Sequence, residues 1–432
     1  MDFYGIDRIN SWKDNFENLR VLITMFDADP NAALSTMLTN WTTVEQFKEV
    51  FKFVKAVQPY FKLEESLLHN IIKFYLRPNN AEKYVEIIKF ILPEYKSLSA
   101  TTIGKAFSTP ALERDLDLLW SFLIKLDPKT INDIVNEEDN ETLLDILLRK
   151  HFSVPEDTPA LQAQRKERFL LKLLSQNPNV NIKADGYSTS AQTAFKEDIS
   201  STLTDNVLLE ILNRADLTIK GEAGWTLAHL AFYNKNLSER VLLAILKLKP
   251  DFNILSIDKI YTPISLAFQN PNITEKILLE ILKQEDIDIG LKYRSGSNIL
   301  IKGLHSNRTN IVTEKVMFKL LDKGGEHIYD INDDGLDAMI IAFLNKEISD
   351  NVLSYIISAH HPINLDKKYS YYPPVKNSGA KVSKTLRDII KDAGKGYLLN
   401  ETRPVKSIQP APSSSPRHSS RKMHRVASEG FT

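Results

Sequence analysis

"AGWTLAHLAFYNKNLSERVLLAIL" (Ala223–Leu246) and "KIYTPISLAFQNPNITEKILLEIL" (Lys259–Leu282) are two segments of this sequence that follow one plan. Each holds a threonine, an apolar stretch, a break with asparagine, a serine or threonine followed by glutamate, and a second apolar stretch. The second segment begins 36 residues after the first. Self-similarity at a period of roughly 20 to 50 residues is typical of stacked repeats, so the period predicts a repeat fold.

A serine or threonine followed by an acid marks the same point in five successive units, at intervals of 34, 36, 39 and 36 residues. The hydroxyl of such a residue caps a helix by accepting a hydrogen bond from a free backbone N–H, and the acid favours the positive end of the helix dipole. An apolar run follows each pair, so each pair predicts the start of a buried helix. The five pairs are Thr204-Asp205, Ser238-Glu239, Thr274-Glu275, Thr313-Glu314 and Ser349-Asp350.

Another helix is predicted before each of these, beginning near Thr226, Thr262, Asn298 and Asp337. The units are separated by short segments rich in turn residues. We call these segments fingers. One unit is therefore two antiparallel helices followed by a finger. Such a helix pair cannot bury its apolar faces alone and is stabilised by stacking on its neighbours.

The stretch "GWTLAHLA" resembles the opening of an ankyrin repeat, Gly-x-Thr-Pro-Leu-His-x-Ala, and "YTPISLAF" resembles the same motif. The resemblance implies an all-α solenoid of ankyrin-like repeats that recognises a protein partner. The sequence departs from the family at Leu227, which replaces the proline, at Ser265, which replaces the histidine, and in its longer period. The matching residues are Thr226, His229 and Ala231 in the first motif and Thr262, Pro263 and Ala267 in the second.

The pattern is strongest over residues 186–365 and weaker before about residue 140. It favours about eight continuous units over residues 30–365, and the alternative is a separate helical domain over residues 1–135. The domains we predict are an N-terminal helical region of degenerate repeats (1–135), a repeat solenoid (136–365), a helical C-terminal cap with a helix over 381–396 (366–400), and a disordered basic tail rich in serine and proline (401–432).

Composition excludes several classes of function. The chain has no cysteine, so disulfides, thiolate metal sites and cysteine nucleophiles are absent. The 55 basic and 55 acidic residues balance, which argues against a nucleic-acid binder. No apolar run reaches the roughly 18 residues that a membrane span needs, and the N-terminus lacks a signal-peptide pattern. We find no phosphate-binding loop, nucleophile elbow or zinc motif, and we predict no catalytic, cofactor-binding or metal-binding residues and no cofactor.

Large aromatic residues recur at the finger position between glycine and threonine, which projects towards the binding face in ankyrin-like units. We assign this position to Tyr187, Trp225 and Tyr261, with Tyr293 and Arg294 as additions from the next unit. Aromatic side chains on one edge are good anchors for a partner. The alternative is that they pack against the next finger, because tyrosine and tryptophan serve both uses.

The tail carries six basic residues and one acidic residue over positions 403–432. In "RHSS" and "RVAS", Ser420 and Ser428 follow an arginine and are predicted phosphorylation sites; the alternative is a merely flexible tail. The Ser-rich tail together with divergent ankyrin-like repeats resembles type IV-secreted effectors of intracellular bacteria. This resemblance implies a monomeric protein made in the bacterial cytoplasm, translocated into the host cytoplasm and bound there to a host protein. The competing hypothesis is an enzyme with a catalytic domain over residues 1–135 and repeats that choose the substrate.

Overall fold

The computed structural model describes residues 30–36, 38, 43–58, 60–75, 81–112, 115–136, 140–152, 158–184, 187–305, 312–359, 364–371 and 382–399. Within these ranges the protein is mostly helical. The helices are α1 (Pro30–Thr36), α2 (Val44–Val57), α3 (Glu65–Asn70), α4 (Ala81–Ile91), α5 (Ala100–Phe107), α6 (Leu116–Leu123), α7 (Leu143–Arg149), α8 (Pro159–Leu174), α9 (Ser190–Ala194), α10 (Glu197–Ser200), α11 (Asp205–Leu212), α12 (Leu227–Tyr233), α13 (Glu239–Lys247), α14 (Pro263–Gln269), α15 (Glu275–Leu282), α16 (Ile299–His305), α17 (Glu314–Gly324), α18 (Ala338–Leu344), α19 (Asp350–Ala359) and α20 (Leu386–Asp392).

These helices pack in two ranks. The first helices of successive pairs contact one another in the order α1, α3, α5, α7, α9, α12, α14, α16, α18 and α20. The second helices form another rank, in which α2 contacts α4 and a longer series runs through α6, α8, α11, α13, α15, α17 and α19. One cluster of buried apolar side chains extends along the ranks from Leu34 to Leu398. None of the helices in the described ranges is both long and apolar enough to cross a membrane.

The predicted caps lie where the second helices begin. Ser238 Oγ accepts a hydrogen bond from the Val241 N–H at 3.3 Å, and Thr274 Oγ1 accepts one from the Ile277 N–H at 3.4 Å. Thr204 is also an N-cap, but its hydroxyl accepts no such bond. Capping satisfies backbone donors that the first turn leaves unpaired, so hydroxyl residues 34 to 39 positions apart mark where the second helices start.

The first helices start at a second set of caps. Thr226, Thr262 and Asp337 are the N-caps of α12, α14 and α18, and Asn298 Oδ1 accepts a hydrogen bond from the Ile301 N–H at the start of α16. Proline follows Thr262 at the first helical position. Proline has no backbone N–H, and at this position an N–H would have no acceptor within the helix. The predicted starts of these four helices are confirmed.

Asparagine side chains join α12, α14 and α18 to the first helix that precedes each of them. The amide of Asn270 donates to the carbonyls of Phe232 and Asn234, at 3.0 and 2.9 Å, and Asn234 donates to the Phe195 carbonyl at 2.9 Å. Asn345 donates in the same way to the Leu304 carbonyl at 2.7 Å. The acceptors lie at the ends of the preceding helices, where backbone carbonyls have no partner within the helix. The break with asparagine in the sequence repeat is therefore a lock between successive pairs.

The fingers before α12, α14, α16 and α18 are tight turns, and the backbone of each bonds to that of its neighbour. Gly221 N–H donates to the Trp225 carbonyl at 2.7 Å and closes one turn, and the Ile257 N–H donates to the Ala223 carbonyl at 2.9 Å and links it to the following finger. Gly296 has a φ of 68°, and a Cβ there would lie 2.6 Å from Asp333 Oδ1. Glycine is required at this turn because both the dihedral angle and the close approach exclude a side chain.

Within the described residues, three short antiparallel hairpins that the sequence did not predict accompany the helices. They pair β1 (Ile134–Asn136) with β2 (Glu141–Thr142), β3 (Lys183–Ala184) with β4 (Ser188–Thr189), and β5 (Lys368–Tyr371) with β6 (Val382–Thr385). The last pair corrects the predicted helix over 381–396. Residues 382–385 pair with 368–371, and α20 begins only after Thr385, whose hydroxyl accepts a hydrogen bond from the Asp388 N–H at 3.2 Å.

Candidate partner-binding surface

A capping pair beneath Trp225 fixes the start of α12. The Thr226 N–H donates to His229 Nδ1 at 3.1 Å, so Nδ1 is the acceptor nitrogen of the ring. His229 is fully buried, and burial lowers its pKa to about 4. The imidazole is therefore neutral at neutral pH and serves as a structural brace. Because Trp225 directly precedes Thr226, this brace also sets the position of the indole.

Trp225 is half-buried and packs against three rings. Its ring centroid lies 5.8 Å from that of His229, 5.4 Å from that of Tyr233 and 6.0 Å from that of Tyr261. The contacts with the tyrosines are edge-to-face, the arrangement that the ring quadrupoles favour. Trp225 thus joins its own helix pair to the finger of the next pair.

Lys302 continues this row into a third helix pair. Its Nζ lies 5.8 Å from the Tyr261 ring centroid and 3.6 Å from that of Tyr293, and it donates a hydrogen bond to the Ile260 carbonyl at 2.8 Å. An ammonium group over a ring face is attracted by the ring quadrupole. Burial lowers the pKa of Lys302 to about 8. We call Trp225, Tyr233, Tyr261 and Lys302 the aromatic face.

Two cavities adjoin the ends of this row. One, of about 210 Å³, is lined by Trp225 together with Ser188, Gln192 and Lys196. The other, of about 670 Å³, is lined by Lys302, Ser265, Ser297 and His305 among others; we call it the Lys302 cavity. Concave sites with a few convergent polar groups beside aromatic side chains are typical of ligand and peptide recognition. The aromatic face and the cavities together form one contiguous surface across successive helix pairs.

The structure corrects the register of Tyr187. Thr189 is the N-cap of α9, so Ser188 occupies the position that Trp225 and Tyr261 occupy before their own caps. Tyr187 lies one residue earlier, in the turn before β4, and is 64% exposed. The sequence "GYST" offered two hydroxyl residues as the cap, and the spacing alone did not choose between them.

Tyr293 and Arg294 lie in different environments. Tyr293 is only 5% exposed, and its hydroxyl lies 2.7 Å from Thr262 Oγ1, so it supports the start of α14 rather than presenting a ring to a partner. Burial raises its pKa to about 12. Arg294 is exposed, and its backbone N–H donates to the Lys259 carbonyl at 2.8 Å. We therefore leave Tyr293 out of the proposed binding surface.

Two members of the aromatic face were missed by the sequence analysis. Tyr233 is 48% exposed and lies seven residues after the cap Thr226, two helical turns along the face that carries Trp225. Lys302 lies four residues after Asn298, one turn into α16. Helical spacing from each cap is the signal that identifies both residues, whereas the analysis followed only the finger position.

Other predicted sites are less informative. Ser420 and Ser428 lie outside the described residues. Across the part of the chain that the structure describes, no group of three or more His, Cys, Asp or Glu side chains is arranged to hold a metal ion.

Comparisons with known proteins add little. No protein-family model matches the sequence, and no curated protein matches it either. Among solved structures, the complex titled predatory endopeptidase Bd0816 from Bdellovibrio bacteriovorus with immunity protein Bd3460 contains a chain that matches over its full length. The match covers 50% of this chain at 16% identity, with a TM-score of 0.35. A likeness at this level carries no argument about fold or function.

Proposed function

We propose that this protein is a recognition module of ankyrin-like repeats that binds a segment of a protein partner along the aromatic face. The observation that carries the proposal is the continuous row from Trp225 through Tyr261 to Lys302, with a cavity at each end. Aromatic residues are enriched in the centres of protein interfaces, where they dominate the binding energy. The half-buried rings are already held in place, so a partner would not have to order them.

The test is capture of partners from a eukaryotic cell lysate on the immobilised full chain, followed by calorimetry with the purified partner. We expect Trp225→Ala to weaken binding by about 30-fold or more, as loss of a central anchor does. Tyr233→Ala should weaken it less. Because Trp225 also packs on the core, the melting temperature of each variant must be measured beside its affinity.

Tyr60→Ala is the matched control, since Tyr60 is 95% exposed and lies in the N-terminal region, before α3. This control should bind the partner as the parent does. If the purified partner binds the parent and a folded Trp225→Ala variant equally well, binding does not use the aromatic face and the proposal fails.

We further propose, on the resemblance to secreted effectors, that the module acts after delivery into a host cell. The test is a translocation assay in a bacterium with a type IV secretion system, with a reporter enzyme fused to the full chain or to residues 1–400. Reporter activity in host cells only with the full chain is the expected result, and equal activity from both would show that the tail is not the signal. No observation within the described residues favours the enzyme alternative, and we do not propose it.

A further inference from the structure

The Lys302 cavity has a composition unlike that of a purely apolar groove. Its walls include Ser265, Ser297, His305 and Asn332, with the exposed carboxylate of Asp334 also among its lining residues. Its volume of about 670 Å³ is in the range of sites that take small molecules or side chains of a peptide. Among the lining residues that the structure describes, Lys302 is the one lysine.

The ammonium group of Lys302 is held in place by one hydrogen bond and one ring contact. One hydrogen bond goes to the Ile260 carbonyl, and the Tyr293 ring lies beneath the charge. Among the residues that the structure describes, no carboxylate forms an ion pair with it. Burial disfavours the charged form and lowers its pKa. Lys302 lines the cavity, so an acceptor that enters it and reaches the ammonium group would add a hydrogen bond to a positioned and partly desolvated cation.

A single lysine suits a carboxylate better than a phosphate group. Phosphate recognition in peptides relies on clusters of arginine, whose planar forks donate two hydrogen bonds at once. No arginine is among the lining residues that the structure describes. An aspartate or glutamate side chain carries one charge and matches one ammonium group.

The distances between rings limit where the acid lies in the partner. The Trp225 and Tyr261 centroids are 6.0 Å apart, and Lys302 Nζ is 5.8 Å from the Tyr261 centroid. The row therefore spans at most about 12 Å, and an extended peptide rises by about 3.3 Å per residue. An acid at Lys302 and an apolar residue at Trp225 would lie within about four residues of each other.

We propose that the Lys302 cavity binds an aspartate or glutamate side chain of the partner, placed within about four residues of an apolar side chain that packs on Trp225 and Tyr261. This inference rests on the proposed function, because it assigns the chemistry of the segment that the aromatic face binds. It adds a charge requirement that packing on aromatic rings alone does not impose.

The experiment selects random 12-residue peptides displayed on phage against the full chain. The retained peptides are then synthesised in three forms: as selected, with the acid replaced by its amide (Glu→Gln or Asp→Asn), and with phosphoserine in its place. Their affinities for the parent chain, Lys302→Met and Trp225→Ala are measured by fluorescence anisotropy. The comparison of acid and amide peptides on the parent chain requires no protein variant, so a folding defect cannot mimic it.

We expect retained peptides to carry an acid near an apolar residue, and the amide form to bind the parent about tenfold more weakly or worse. On Lys302→Met the acid and amide forms should bind equally. Acid and amide forms that bind the parent alike would overturn the inference, while a loss of binding on Trp225→Ala would still support the proposed function. Tighter binding of the phosphoserine form would overturn the carboxylate assignment. A selection that yields no binder, or binders indifferent to both protein variants, would count against both proposals.

Discussion

The two ranks of helices are stacked with the same period but by different chemistry. Between the first helices α12 and α14 the connecting group is neutral and buried: the Asn270 side chain, 4% exposed, bonds to two backbone carbonyls of the preceding pair. Between the second helices α13 and α15 it is charged and exposed: Glu239 accepts hydrogen bonds from Thr274 at 3.1 Å and from Lys276 at 2.5 Å. Between the same two helix pairs, the first helices are therefore connected by a buried neutral side chain and the second helices by an exposed charged one.

The two kinds of connection should differ in strength because one is buried and the other is exposed to solvent. A buried carbonyl that loses its donor has no water to replace it, so the cost of removing the partner is large. An exposed ion pair gives little, because water and salt screen it and two long side chains must be ordered. Removing a buried asparagine should therefore cost the stack more stability than removing one of the exposed acids.

The largest effect is expected from Asn270→Ala. This change leaves the Phe232 and Asn234 carbonyls without their side-chain donor, and we expect the free energy of unfolding to fall by about 2–4 kcal/mol. Asn272→Ala, in the same loop, is the matched control. Asn272 is exposed and donates to the Lys235 carbonyl at 2.6 Å, and its loss should cost less than about 1 kcal/mol. Urea titration of both variants measures the difference, and equal losses would mean that the buried lock has no special role.

The second largest effect is a loss of folding stability that should appear only at acidic pH. His229 has a pKa of about 4 when folded against an ordinary value of 6.5, so the unfolded chain binds the extra proton between these values. Stability conferred by the neutral ring is complete above pH 6.5 and is lost as the pH falls towards 4. The loss amounts to up to about 3 kcal/mol, at 1.36 kcal/mol for each pKa unit.

His229→Gln isolates this titration. Gln192 already fills the equivalent position in the preceding pair, where it completes the capping box with Thr189, so glutamine should preserve the cap and remove the ionisation. Burial raises the pKa of Asp145 and Asp337, and their contributions fall as the pH rises. They are present in both proteins and cancel in the comparison. A difference between parent and variant that stays constant from pH 7 to pH 4.5 would contradict the assigned role of His229.

The smallest effect is expected from Glu239→Gln. Its hydrogen bond with Thr274 can persist through the amide oxygen, and its ion pair with Lys276 is exposed to solvent. We expect urea titration to show a free energy of unfolding lower by less than about 1 kcal/mol, because only an exposed ion pair and a solvent-screened interaction with the helix dipole are lost. A larger loss of stability that disappears at high salt would show that ion pairs contribute strongly to the packing of the second helices.

The sequence predicted the parts of this fold that depend on local chemistry. The caps of the first helices at Thr226, Thr262, Asn298 and Asp337 follow from short polar residues that recur at intervals of 36, 36 and 39 residues. The strand at 382–385 could not be predicted from local chemistry. It forms through hydrogen bonds to residues 368–371, which belong to a separate segment of the chain. The candidate surface was predicted only in part. Trp225 and Tyr261 were identified from their finger position, whereas the contribution of Lys302 depends on how three consecutive pairs stack.

The asparagine lock has a direction, and this bears on how the chain is made. In each lock the donor belongs to the later helix pair and the acceptor carbonyls belong to the earlier one. A ribosome releases the earlier pair first, so its carbonyls are in place before the asparagine that binds them emerges. Each new pair can then dock on a finished template, and we expect the chain to fold stepwise from its amino-terminal side during synthesis.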